Sequence, residues 1–527
     1  MWIKTVTPKE DNAVNEFVAA HEGDVMGVLE GFDRVVFRGT LSSIAYPQGM
    51  GAFIGSLKVL YKDYGRFAQD LSERLKAHAR AVARRQGRPF EYVAAPSASK
   101  EQIARRIARR DGIEQGLICV LSCVEPCRTI SVRRDRRSRR LELVSQERRC
   151  LHLYFYYQDR TLGFMHVRLQ TWLPMPIQVC VNGREYLARR MTRAGIGHER
   201  RENCFARIDD LPRAQEMIDE LERLNWPRVL DGFAKRANAL LGDGKLRLRG
   251  YYWTIRESEY ATDVMFKNAA RLKAVYPHLV DHAMKRLDSR QVMRFLERRS
   301  NCRFDGEVTS DIRVRSEGMR IKHRVEENSI KMYDKQGSVL RVETTINNPK
   351  RLRVWRRVRR KGRPTMAWVA MRKGVADTRR RAASCRAANG RYLQALAAAS
   401  PPPRPVHRTL DRVSDRVRDE KDRWHRALRP VAPADAKLLA AVACGSFLLA
   451  GFSNRQLRQK LGMCEPRDPS ERRRQAGAVG RMLALMRAHG LITRIPQTRR
   501  WRVTSQGRHV ITVSQRVRDA DVTALAA

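Results

Sequence analysis

A chain of 527 residues with 105 lysines and arginines against 56 aspartates and glutamates carries a formal net charge of +49 and a pI near 11. That excess excludes an electrically self-sufficient globule and points to a polyanionic partner, DNA or RNA first. The 43% hydrophobic content fills three or so cores. With no apolar run of about 18 residues and no signal-peptide order, a membrane partner is excluded and a cytoplasmic location is expected. The ten scattered cysteines are then expected to be reduced thiols.

In chain order, residues 1–30 read as a helical lead-in, and Gly31 to Gly39 as a glycine-bounded strand with Asp33 at its start. Apolar spacing predicts helices over Leu57 to Arg85 and Lys100 to Arg110, the second with Ser97 and Ser99 available as caps. From Leu117 to Val181 alternation takes over, giving strands at 117–124, 129–133, 141–144, 150–157, 162–172 and 177–181. Short connections between them imply a mostly antiparallel sheet. The run Cys150 to Tyr157 sets alternate aromatics on its surface, either as sheet core or as a platform on which bases stack. Cys123, Cys127, Cys150 and His152 form a conceivable zinc set, and His166, Gln170 and Glu125 a conceivable catalytic one. Buried free cysteine and ordinary polar surface are the competing readings.

Helices are expected again at Glu185 to Arg193 and Leu211 to Leu241, the latter broken at Pro227. A strand pair over Tyr251 to Met265 follows. Helices at Asn268 to Tyr276 and Ser289 to Glu297 come next, the last capped by Asp288. Strands at Ile312 to Val314 and Met319 to Val325 lead on, with His323 expected on an exposed strand surface.

Asn328 to Asn347 reads as a β-hairpin turning at Lys335-Gln336-Gly337. Alternation puts Lys331, Tyr333 and Lys335 on one side of its first strand, and Arg341, Glu343 and Thr345 on one side of its second. A phenol needs cations nearby to act as a nucleophile, and a scissile phosphate needs neutralising. The pattern Lys-x-Tyr-Asp-Lys followed by Arg-Val-Glu resembles rolling-circle replication initiators of plasmids and filamentous phages. The resemblance implies nicking by Tyr333, with Lys331, Lys335 and Arg341 beside it. A Mg or Mn ion would sit on Glu343 and Asp334. The chain lacks the His-hydrophobic-His metal motif of the commoner initiators, and cross-strand pairing inside a half-buried hairpin is the competing account.

Arg351 to Lys361 alternates arginine with apolar residues, so Arg351, Arg353, Arg356 and Arg357 are candidate phosphate contacts. A helix over 374–399, a polyproline linker at Ser400 to Pro405 and a charged helix over Thr409 to Leu428 follow. In residues 433–512, a Ser453 to Gln456 capping box opens a short helix. Ser470 caps a long one ending at Gly490, and a two-stranded wing with a basic tip follows. This layout resembles the winged helix-turn-helix of bacterial regulators of the multiple-antibiotic-resistance type. The resemblance implies DNA contacts by Arg455, Arg472, Arg473, Arg474, Gln475, Arg499 and Arg500.

The expected architecture is therefore a multidomain α/β (α+β) protein with mostly antiparallel sheets. An N-terminal domain (1–200) precedes a helical segment with the hairpin and basic strand (201–399), a linker and charged helix (400–432), a winged helix (433–512) and a tail (513–527). Three functions fit: a DNA-nicking replication initiator or transposase-like protein of a mobile element, a non-catalytic DNA-binding regulator or RNA-binding protein, and an RNase-H-like metal nuclease using Asp33, Glu125 and Glu343.

Overall fold

The computed structural model describes residues 11–298, 307–315, 318–360, 362–397, 406–448, 451–463, 466 and 468–520. The chain is mixed α/β, as its alternation of patterns implied. Its strands in order are β1 (Val25–Thr40), β2 (Phe90–Tyr92), β3 (Gly116–Arg134), β4 (Leu141–Asp159), β5 (Gly163–Gln170), β6 (Ile177–Asn182), β7 (His198–Arg201), β8 (Cys204–Ile208) and β9 (Tyr252–Phe266). Then come β10 (Val308–Arg315), β11 (Gly318–Val325), β12 (Asn328–Lys335), β13 (Val339–Ile346), β14 (Arg353–Arg360), β15 (Arg363–Ala370), β16 (Val417–Arg418), β17 (Trp424–His425), β18 (Ile492–Arg494) and β19 (Trp501–Val503). They fall into two compact units, one of Met1–Gly27, Val264–Val342 and Ala387–Ala527, the other of Val28–Asp263 and Glu343–Arg386.

In the second unit the sheet runs β9-β1-β6-β5-β4-β3-β2, antiparallel from β1 to β3 and parallel between β3 and β2. The helix Tyr64–Arg85 covers one face because Tyr64, Ala68, Leu71, Leu75 and Ala79 recur at helical spacing and all are buried. They pack with Val120, Phe155, Val167 and Val179, so truncating Leu71 to Ala costs about 2–5 kcal/mol. The helix Lys100–Arg110 covers part of the opposite face, laying Ala104 and Ile107 on Cys119, Leu121, Tyr154, Tyr156 and Phe164.

Several expected boundaries shift for local reasons. The pairs of strands expected at 117–133 and 141–157 are one long antiparallel pair, β3 and β4, in register from Gly116↔Gln158 to Arg134↔Leu141 with one irregularity. The helix expected over Leu57 to Arg85 starts at Tyr64, since Lys58 takes φ +56° and breaks the run after a separate helix, Pro47–Ser56. Tyr154, Phe155, Tyr156 and Tyr157 are buried, so this aromatic run is sheet core and not a stacking platform.

In the first unit β10, β11, β12 and β13 lie in that order. Ile321, Val325, Ile330 and Met332 form their buried face. His323, expected on the surface, is fully buried among them, with Ser310 Oγ 2.7 Å from Nδ1 and Tyr392 Oη 3.1 Å from Nε2. Burial pushes its pKa down to about 4. The Asp288 cap forms as expected, as a full capping box with Gln291. The charged helix expected over 409–428 stops at Asp411. Asp419 accepts N–H bonds from Lys421 and Arg423, and Asp422 takes φ +54°, which turns the chain into the β16–β17 ribbon. The polyproline linker lies outside the described residues.

Residues 433–512 fold as helices Pro433–Val442, Gly445–Leu448, Asn454–Lys460 and Pro469–Ala488, then β18 and β19, and then the helix Ser505–Asp519, which runs past 512 into the stretch expected as a tail. They share a core of Leu439, Phe452, Leu457, Val479, Leu483, Met486 and Val503. The Ser453–Gln456 capping box is present. The long helix is capped by Asp468 rather than Ser470, its carboxylate accepting from the Ser470 and Glu471 amides. Gly490 takes φ +69° just past that helix, the left-handed turn that favours glycine.

Candidate nucleic-acid interface

The hairpin of β12 and β13 turns through Gln336 and Gly337, both at positive φ, and the Asp334 carboxylate accepts the Gly337 N–H at 2.9 Å. Asp334 is thereby a turn-former, and burial raises its pKa. Across β11 and β12, Tyr333 stands opposite Arg320 and Lys331 opposite Lys322. The Lys322 ammonium is made less basic by burial, then by Arg324, Lys331 and Arg320, so Tyr333 lies on a strip crowded with cations. Lys335, Arg341 and Glu343 are buried, at 7%, 1% and 3% exposure, and each is engaged by its surroundings. Among the described residues the only three ligating side chains close enough to hold one ion are Cys127, Cys150 and His152. Among the described residues no such group forms at Asp334 and Glu343, at Asp33, Glu125 and Glu343, or at Glu125 and His166.

At that cysteine cluster the expectation of reduced thiols fails. Cys127 and Cys150 form a disulfide with Cα atoms 6.5 Å apart, while Cys123 turns into the apolar layer under the Lys100–Arg110 helix. The proposed zinc set is thus divided. His152 Nδ1 lies 3.2 Å from the Cys150 carbonyl, and burial followed by Arg168 lowers its pKa to about 4.

The same sheet face carries a densely bonded polar cluster. Glu125, on β3, receives Tyr154 Oη at 2.7 Å, Arg168 Nη2 at 2.7 Å and Lys100 Nζ at 3.0 Å. Burial opposes its ionisation, but these three donors outweigh it and hold its pKa down at about 2. With its oxygens given to two cations and a phenol, Glu125 is poorly disposed to ligate a metal. Asp33 is occupied too, accepting from Asn203 Nδ2 at 2.7 Å. On β1 Arg34 bonds Glu259 at 3.0 Å and also Glu257. Four residues on along the same strand face, Arg38 reaches solvent, yet partial desolvation by its neighbours and then the charges of Arg256, Arg128 and Arg168 lower its pKa. Cations thus outnumber acids at this end of the sheet.

The basic stretch after the hairpin is the β14–β15 ribbon, in register from Arg353↔Ala370 to Arg360↔Arg363. Alternation does set one face, but with Arg353, Trp355, Arg357 and Arg359 on it. Arg356 points the other way, where Nη1 lies 3.0 Å from both oxygens of buried Asp377 and Nη2 donates to the Ala370 carbonyl at 3.1 Å. It holds the ribbon in place, while the side chains of Arg353, Arg357 and Arg359 make no hydrogen bond or ion pair among the described residues. Arg351 is exposed in the short turn before the ribbon.

In the C-terminal helices, Arg472 donates to the Pro466 carbonyl at 3.2 Å. Glu471 is shared by Arg474 at 2.8 Å and Gln475 at 3.4 Å. Arg473 is exposed beside them. Arg499 is exposed between β18 and β19, and Arg500 bonds the Gly451 carbonyl at 2.8 Å. Arg455 is exposed on the short helix and is engaged by its surroundings. What the sequence reading overlooked is the pair Trp355 and Trp368, whose alternation with the arginines was the available signal. No helix among the described residues is long and apolar enough to cross a membrane. No family model matches this chain, and no curated protein or solved structure does.

Proposed function

We propose that this chain binds DNA, in the manner of a replication initiator or transposase-like protein of a mobile element, through phosphate-directed arginines. The observation that carries the reading is the set of exposed arginines with no acid to meet them, Arg353, Arg357 and Arg359 on one ribbon face and Arg38 near Arg256 and Arg128 on the sheet. A net charge of +49 has no internal balance, and a phosphate backbone supplies one. The order of short helix, long helix and two-stranded ribbon within 433–512 supports a winged helix that selects the site, with Arg473 and Arg499 among the exposed cations there. Anisotropy titration of labelled duplex and single strands over a salt series tests this. Log affinity falls linearly and steeply with log salt; an affinity unchanged between low and physiological salt refutes it.

A nicking activity at Tyr333 is the second reading, favoured by the cations Arg320, Lys322 and Lys331 around that phenol. Attack of its oxygen on phosphorus would form a tyrosyl phosphodiester and release a hydroxyl end. Supercoiled DNA is incubated with the protein and Mg²⁺ or Mn²⁺, and protease-sensitive covalent adducts are sought. Tyr333→Phe abolishes nicking and leaves DNA binding intact. A Phe variant that nicks at the wild-type rate removes the hairpin as the site.

A further inference from the structure

The β14–β15 ribbon pairs Trp355 directly opposite Trp368, with ring centroids 5.6 Å apart at an interplanar angle of 50°. Both rings are solvent-facing, at 48% and 61% exposure, and Met366 beside them is 47% exposed. Leaving two indoles in water forgoes the stabilisation their burial would bring, so this face is shaped for something other than the chain's own core. The ribbon does have an inner face, and that one is used: Val354 is 6% exposed within the core that includes Leu352 and Met371, and Arg356 is locked to Asp377. The outward orientation of the tryptophans is therefore fixed by packing behind them.

Charge identifies the occupant. Arg353 and Arg357 flank Trp355 two residues away on the same face, and Arg359 follows. Between Glu343 and Asp377 the sequence has no acid at all. An acidic protein or a lipid surface would satisfy the arginines, but neither offers flat partners for two indole faces. Unpaired bases offer one π-face per nucleotide, with a phosphate between successive bases. We infer that the outer face of the ribbon is a single-strand platform, on which Trp355 and Trp368 stack unpaired bases while Arg353, Arg357 and Arg359 hold the intervening phosphates. This rests on the nucleic-acid reading above and narrows it to unpaired DNA or RNA at this face.

Stacking and phosphate pairing separate by salt, because stacking releases no counterions. In the full-length protein, Trp355→Ala and Trp368→Ala are compared with Arg353→Ser/Arg357→Ser for binding to oligothymidine, oligouridine and a duplex. Circular dichroism and thermal unfolding confirm that each variant is folded. Each tryptophan variant is expected to weaken single-strand binding about tenfold at every salt concentration, with the salt slope and the duplex affinity unchanged. The arginine pair is expected to flatten the slope instead. Conservative Trp355→Phe restores most of the affinity, since it keeps a ring. Wild-type protein that binds nucleic acid while both folded tryptophan variants bind single strands equally well overturns the platform and leaves the nucleic-acid reading standing. A wild-type protein that binds neither form overturns both. Equal loss on duplex and single strands also overturns the platform, and reassigns the indoles to a wedge between paired bases.

Discussion

The Glu125 cluster and the β14–β15 ribbon are both arginine-bearing strand surfaces of the same unit, yet they use the cations in opposite ways. At Glu125 one carboxylate gathers Lys100, Arg168 and Tyr154, and the cations there are 9% and 20% exposed. Among the described residues of the ribbon's first strand only Arg356 finds an acid, Asp377, while Arg357 one position away and Arg353 and Arg359 three positions away have none. Arginine in an alternating run is therefore not one kind of residue. A buried cation bound to a buried acid maintains the fold, and its removal is felt as stability; an unmatched cation on an outward face is felt only when a polyanion arrives.

The largest test of that division is Glu125→Gln, which leaves Lys100 and Arg168 without their counter-charge. Its cost is about 3 kcal/mol in urea unfolding, with little change in salt-dependent binding. The pH dependence has a definite sign. Because the folded-state pKa of Glu125 is depressed from 4.5 to about 2, its contribution is fully present above pH 4.5 and is lost as pH falls towards 2. The Gln variant lacks that part of the acid sensitivity. Should the variant unfold at the wild-type urea midpoint, the cluster would not be structural.

A smaller effect separates neighbours within the ribbon. Arg356→Ala removes the nearest cation from buried Asp377, leaving it the Arg372 amide at 2.9 Å and Arg380 at 3.3 Å, and costs about 2 kcal/mol by thermal or chemical unfolding, while Arg353→Ala changes stability by less than about 0.5 kcal/mol. Smaller still is the binding counterpart. Arg353→Ala lowers the slope of log affinity against log salt by about one, and Arg473→Ala relaxes discrimination between duplex sequences by about 1 kcal/mol. Equal stability losses for Arg353 and Arg356 would erase the distinction between the two faces.

Much of the fold was legible as pattern. Helical spacing located Lys100–Arg110 closely, Ser453 and Gln456 announced their capping box, and period-two alternation found nearly every long strand. Alternation assigns two faces but not which one another element covers. The expectation of an exposed His323 therefore fails, because Tyr392 packs against it, and the choice between core and platform for Tyr154 falls to core only because the Lys100–Arg110 helix covers it. Pairing across long separations was equally hidden. Arg356 meets Asp377 and Glu125 meets Arg168 by register and packing, and Cys127 meets Cys150 across two strands that the sequence reading had cut into four. Trp355 and Trp368 were visible as letters, but their pairing needed the turn position, which Gly362 at φ +77° supplies.

The ribbon has a second property as a free-standing pair. Among the described residues no third strand joins the two, which leaves both outer ladders open, and an open ladder of this length invites another copy to add on as a further strand. Here the same arginines act as guards, because a second ribbon docking edge to edge would bring like charges into line, and Pro364 removes one amide donor from the ladder. That protection depends on the arginines staying uncompensated. Neutralise them with a short polyanion too small to span the face, and the open edges become free to join, so the colloidal behaviour of the protein is tied to what its ribbon carries.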